Sequence, residues 1–109
     1  MKEKTRPQQI DLMVKRLVER FDPDQIVLFG SHARGTAGPD SDVDLLVVMP
    51  VSGPKREKQI EMRVALHDIN TPKDIIVATP EQVEQQKGIV GTIIRPALQE
   101  GQVLYVRTR

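Results

Sequence analysis

LFGSHARGTAGPDSDVDLLVV (Leu28–Val48) joins two apolar stretches through a segment of Gly, Ser, Arg and Pro. The second apolar stretch opens with two aspartates, Asp42 and Asp44, two residues apart. In a strand, residues i and i+2 point to one face. Two carboxylates on one face repel each other unless one takes up a proton or a cation sits between them. From Leu45 onward the stretch is apolar at every position, the pattern of a strand buried on both faces. Charges placed where a buried strand begins therefore need a chemical reason.

A hard divalent cation such as Mg²⁺, bound by oxygen ligands, removes the repulsion. Two such ions about 4 Å apart clamp an in-line phosphoryl or nucleotidyl displacement. A third carboxylate would complete the set, and Asp74 is the best placed. It opens the run DIIVAT (Asp74–Thr79), which is otherwise free of charge. From an adjacent strand it would reach the same face, as a metal ligand and as the base for an attacking hydroxyl.

The Gly30–Ser31 step supplies the other half. A glycine after a strand lets the backbone approach a phosphate, and the following amides and hydroxyl donate to it. Arg34 adds a bidentate phosphate contact that lysine would not reproduce. The segment is no Walker A loop, because no Gly-Lys-Ser/Thr follows. Asp40, Asp42 and Asp44 begin like an EF-hand, but Leu45 stands where that loop needs Gly and Val51 where it needs Glu.

Working outward, Gln8–Arg20 carries Ile10, Met13, Val14, Leu17 and Val18 at helical spacing. Pro23 ends that helix. Gln25–Phe29 reads as a strand, Ser31–Arg34 as a helical turn and Asp42–Met49 as a second strand. Lys55 to about Ile69 reads as a helix with Ile60, Val64 and Ala65 on one side. Asp74–Ala78 is a third strand. Thr79 is an N-cap, with Pro80 at the first helical position and Gln82 completing a capping box, for a helix to about Lys87. A last helix falls within Gly91–Glu100, limited by Pro96, and Gly101 is expected at positive φ behind it. Gln102–Val106 is the final strand. The alternation predicts an α/β or α+β domain with one sheet.

The chain has 109 residues, and one domain over 1–109 is expected. Hydrophobic residues are 39% and aromatics 3%, so the core must be aliphatic. The near-neutral charge of +1 and the scarcity of aromatics argue against nucleic acid as a partner. Cysteine is absent, and the polar start MKEKTRPQQ lacks an apolar signal region. With no apolar run of membrane-spanning length, a cytoplasmic location without membrane contact is expected. His67 and the run Lys55–Lys58 read as solvated surface, and Tyr105 as packing in the last strand.

Gly30–Val48 resembles the signature of the DNA polymerase β-like nucleotidyltransferases. It is most similar to the minimal nucleotidyltransferases, which include MntA-type antitoxins. Their pattern is G-S-x-A-R-G, five residues, then S-D-x-D-L. Gly30, Ser31, Ala33, Arg34, Gly35, Ser41, Asp42, Asp44 and Leu45 fit it in type and spacing. The resemblance implies a polymerase β-like α/β (α+β) core, a short mixed sheet with helices mainly on one face. It implies Mg²⁺-dependent transfer of AMP from ATP, with two ions. Asp42, Asp44 and Asp74 would be catalytic and metal-binding, and Gly30, Ser31, Arg34 and Ser41 nucleotide-binding. His32 falls at a variable position of the pattern and is given no role. The partner implied is a HEPN-domain ribonuclease toxin, modified on a tyrosine within a hetero-oligomer.

The short chain suggests that a partner or second copy completes the cleft, since larger nucleotidyltransferases carry a covering domain. Two other readings compete. One is a non-catalytic antitoxin that neutralises its partner by occlusion. The other is a nucleotidyltransferase acting on RNA or a small molecule.

Overall fold

The computed structural model describes residues 4–92 and 94–108. The chain order is α1 (Arg6–Phe21), β1 (Gln25–Phe29), α2 (Ser31–Arg34), β2 (Val43–Val48), α3 (Lys55–Ala65), β3 (Lys73–Ala78), α4 (Pro80–Gln86), α5 (Ile94–Glu100) and β4 (Gln102–Val106). The strands form one mixed sheet in the order β3-β2-β1-β4. β1 pairs antiparallel with β2 and with β4, and β2 pairs parallel with β3.

The termini of α1 follow from local chemistry. The Thr5 hydroxyl accepts from the Gln8 amide, and the Gln8 side chain accepts from the Thr5 amide, a complete capping box. Ile10, Met13 and Leu17 form the buried stripe. Asp22 ends the helix in the left-handed region at φ 48°, and Pro23 follows. Thr79 caps α4 through the Gln82 amide as expected, but the Gln82 side-chain oxygen accepts from Lys55 Nζ at 2.6 Å and the expected capping box is not closed.

Helices pack on both faces of the sheet. On one face α1 and α3 pack Met13, Leu17, Met62 and Leu66 over Ile26, Leu28, Val43, Leu45, Val47, Ile75 and Val77. On the other, the short α4 and α5 pack Val83, Ile94, Ala97 and Leu98 against Val27, Phe29, Leu46, Val48 and Ala78. The two long helices thus share one face, and the core is aliphatic apart from Phe29.

Three local expectations are revised. The buried stripe of α3 and its following turn is Met62, Ala65, Leu66 and Ile69, whereas Ile60 and Val64 are 51% and 63% exposed. Both sets have helical spacing, so periodicity alone does not choose between them. Gly101 is not among the positive-φ residues. It is glycine because β4 leaves α5 in close contact: a Cβ there would collide with the Ala97 carbonyl oxygen and Val27 and lie 2.9 Å from the Leu28 carbonyl oxygen. β2 begins at Val43, one residue after the first aspartate. Pro96 stands in the first turn of α5, where its missing amide costs no helical hydrogen bond.

Met62→Ala should cost about 2–5 kcal/mol of unfolding free energy, because Met62 is fully buried under the sheet. Val64→Ala, one half-turn away, should stay within about 0.5 kcal/mol. Urea denaturation of the two variants measures the contrast.

Candidate active site

The site begins where β1 ends. Gly30 follows Phe29, adopts φ 74° and ψ −155°, and serves as the N-cap of the single-turn helix α2. That conformation suits glycine. Space demands it as well, since a Cβ on Gly30 would collide with the Asp44 carboxylate, reaching 3.2 Å from its Cγ and 3.5 Å from its Cβ. The Gly-Ser step and the second aspartate of the motif are therefore in direct apposition. The Ala33 and Arg34 amides donate to the Gly30 carbonyl oxygen at 3.1 Å, which leaves the Ser31 and His32 amides without an acceptor in this turn.

Register places the carboxylates. Asp44 lies opposite Phe29 on β1 and opposite Asp74 on the parallel β3. Both aspartates alternate with residues of the α1–α3 face, Val43 and Leu45 on β2 and Ile75 and Val77 on β3. They therefore share the other face, at the ends of β2 and β3 away from the Leu46, Val48 and Ala78 patch under α4 and α5. Asp42 is exposed and precedes the strand.

Burial pushes the Asp44 carboxyl above the ordinary carboxylate value, and the charges of Asp74 and then Asp42 push it the same way. His32 and Arg34 act in the opposite sense. The structure thus draws Asp42, Asp44 and Asp74 into one electrostatic neighbourhood. Among the described residues no three His, Asp or Glu side chains are grouped so that together they could hold a metal ion. Asp74 is engaged by Arg63 of α3, whose Nη2 lies 2.9 Å from Oδ1. Arg34 is exposed and pairs with Glu100 at 3.5 Å. The Ser41 hydroxyl accepts from the Gly38 amide at 2.9 Å and so shapes the turn before Asp42.

Sequence reasoning overlooked Arg63 and Arg6 and gave His32 no role. Arg63 reaches Asp74 only because α3 packs beside β3, which no local pattern announces. His32 Nε2 lies 3.1 Å from the Ser41 carbonyl oxygen, and Arg6 reaches the carbonyls of Pro39 and Ser41.

A nucleotidyltransferase domain model matches residues 10–104. The chain belongs to the nucleotidyltransferase domain family. It is 42% identical over 71 residues to a candidate protein adenylyltransferase of Methanocaldococcus jannaschii, a match over 63% of this chain and 46% of that protein. The matched region thus spans just under half the length of that relative. Among solved structures, the MntA–HpeT toxin–antitoxin with two Asp→Glu substitutions superposes with TM-score 0.66 at 16% identity, over 90% of this chain and 73% of that one. A toxin–antitoxin with AMP-PNP gives 0.59 at 18% identity, over 95% and 76%. A nucleotidyltransferase-type protein from Sulfolobus solfataricus gives 0.56 at 20% identity, over 91% and 78%. At these identities the superpositions establish a shared fold.

The raised Asp44 carboxyl carries a sign that can be checked. A carboxyl that binds its proton more tightly in the fold than in the unfolded chain contributes full stability below the ordinary carboxylate value. That contribution is lost as pH rises through the raised value. With chelator present, Asp44→Asn should therefore raise Tm at pH 7. The gain should shrink on acidification and vanish below about pH 4. Thermal unfolding of both proteins across pH measures it.

Proposed function

We propose that this chain is a Mg²⁺-dependent nucleotidyltransferase that moves AMP from ATP to a protein hydroxyl. The acceptor would be a tyrosine of a HEPN-domain ribonuclease toxin that the chain silences as its antitoxin. The observation that carries the reading is the apposition of Gly30 with Asp44, in register with Asp74 and two residues from Asp42. It sets a backbone suited to phosphate against a partly desolvated group of carboxylates. Membership of the nucleotidyltransferase family supports the class of chemistry. The adenylyltransferase relative and the AMP-PNP-bound fold relative support AMP and a protein acceptor.

The donor set fits a hard cation. It consists of carboxylate oxygens, and a bound cation would offset both the burial that chiefly raises the Asp44 carboxyl and the repulsion from Asp74 and Asp42 that adds to it. Asp42 and Asp44 would hold Mg²⁺, joined by Asp74 once its carboxylate exchanges the Arg63 contact for the metal. Bound there, Mg²⁺ supplies charge neutralisation to the triphosphate.

The chain's own residues account for the remaining steps. Gly30 and the amides at the start of α2 receive the triphosphate together with the Ser31 hydroxyl. Arg34 adds its guanidinium by leaving the exposed Glu100 contact, and Ser41 shapes the far wall of the loop. The acceptor oxygen attacks the α-phosphorus while the bond to the bridging oxygen breaks and pyrophosphate leaves. The proton of the acceptor hydroxyl passes to a carboxylate, the role proposed for Asp74. Exposed Asp42 and half-exposed Asp74 leave the carboxylate group open on its outer side, where a protein acceptor can approach. The chain is proposed to act in the cytoplasm and in a hetero-oligomer with its toxin.

Intact-mass spectrometry provides the test. The product of the adjacent gene would be incubated with this chain, Mg²⁺ and each NTP in turn. The expected result is a gain of one or more AMP units with ATP. Asp42→Asn and Asp44→Asn should slow the gain by at least about 100-fold. A stable complex without any mass gain would replace transfer by occlusion. Label appearing on RNA or a small molecule instead would move the acceptor class.

A further inference from the structure

Asp42 is the exposed member of the carboxylate group and lies outside the strand ladder, so hydrogen bonds of the sheet alone do not hold it. Its backbone is nevertheless anchored on both sides. Downstream, the Val43 amide donates to the Pro72 carbonyl oxygen at 2.9 Å, on the β3 side. Upstream, the carbonyl oxygen of Ser41 belongs to the peptide that leads into Asp42, and that planar unit sets the direction in which Asp42 starts. This oxygen receives His32 Nε2 of α2 at 3.1 Å and Arg6 Nη1 of α1 at 3.5 Å. Arg6 Nη2 also donates to the Pro39 carbonyl oxygen at 3.3 Å. A carbonyl oxygen only accepts, so His32 carries its hydrogen on Nε2 in this contact.

We propose that Arg6 and His32 are positioning residues that clamp the Pro39–Ser41 turn and so aim Asp42 at the metal and triphosphate. This rests on the nucleotidyltransfer reading above. The two side chains come from elements far apart in sequence and meet on a single peptide, as preorganisation of an otherwise loose ligand requires. Arg6 reaches the turn because the Thr5 capping box sets the first turn of α1 beside it. His32 reaches it because α2 is itself tied down: Gln102 Nε2 of β4 donates to the Ala33 carbonyl oxygen at 3.0 Å. The contacts by which the two side chains hold the turn are to the Pro39 and Ser41 carbonyl oxygens.

The test compares the wild type with the double variant Arg6→Ala/His32→Ala and with His32→Gln, whose terminal amide nitrogen can take the place of Nε2. Amide hydrogen exchange is measured at Asp42 and Val43 and at the central β2 amides. Mn²⁺ affinity is measured by electron paramagnetic resonance, and AMP transfer as kcat and KM. The double variant should exchange about tenfold faster at Asp42 and Val43, with Leu45–Val47 unchanged. It should bind Mn²⁺ several-fold more weakly and lose about tenfold in kcat with KM for ATP nearly constant. His32→Gln should recover most of each effect.

Wild-type exchange at Asp42 and Val43 in the double variant would overturn the clamp whatever the transfer assay gives. Faster exchange throughout β2, or faster local exchange with unchanged Mn²⁺ affinity and kcat, would overturn the positioning role and leave only a structural one. If the wild type transfers no nucleotide at all, the nucleotidyltransfer reading fails. Local exchange and Mn²⁺ affinity then still decide the clamp.

Discussion

The structure turns on the start of β2, where a strand buried on both faces emerges from a carboxylate pair. Leu45, Leu46, Val47 and Val48 commit β2 to the middle of the sheet, with β1 on one side and β3 on the other. A central strand cannot slip by one residue without exchanging its two apolar faces. That rigidity holds Asp44 against Gly30 and in register with Asp74. Repulsion and partial burial make the arrangement unfavourable for the free fold, a cost found commonly at functional sites.

The surrounding elements serve this point. α1 and α3 give the sheet its larger apolar cover and lock the far side of β2 through Met13, Leu17, Met62 and Leu66. α4 and α5 cover only part of the opposite face, so the carboxylate end of β2 and β3 stays outside their patch. The edges are treated differently. On β3, the Gln59 side chain of α3 accepts from the Val77 amide at 2.9 Å, which satisfies an edge donor. On β4, the register shift beside Ile26 and Val27 brings Leu104 and Tyr105 together onto the α1 face, while Val103 and Val106 stay exposed.

Electrostatics in the site is balanced rather than saturated. Arg63 holds Asp74, and Arg34 lies near enough to temper Asp44 while pairing with Glu100. Both pairs are solvent-exposed, so each is weak and can exchange partners when a stronger charge arrives. Weak pairing suits groups that must release one partner to take another. The Ser41 carbonyl differs, because its contact with His32 is partly buried and does not require exchange during turnover.

The local sequence determined a good deal. The helix cap at Thr79, the strand at Gln25–Phe29 and the helical turn at Ser31–Arg34 follow from short-range spacing and side-chain chemistry, and the structure matches them. The Gly-Ser, Arg and Asp-x-Asp pattern was equally legible, because each part constrains residues near it in the chain. Tertiary structure decided what depends on contacts between distant segments. It chose Met62 over Ile60 and Val64 as the buried side of α3, since two stripes of equal periodicity differ only in what lies opposite them. It required a glycine at 101 through close packing rather than through backbone conformation. It also brought Arg63 to Asp74 and Arg6 and His32 to the Ser41 carbonyl, because those pairings exist only once helices and sheet have docked.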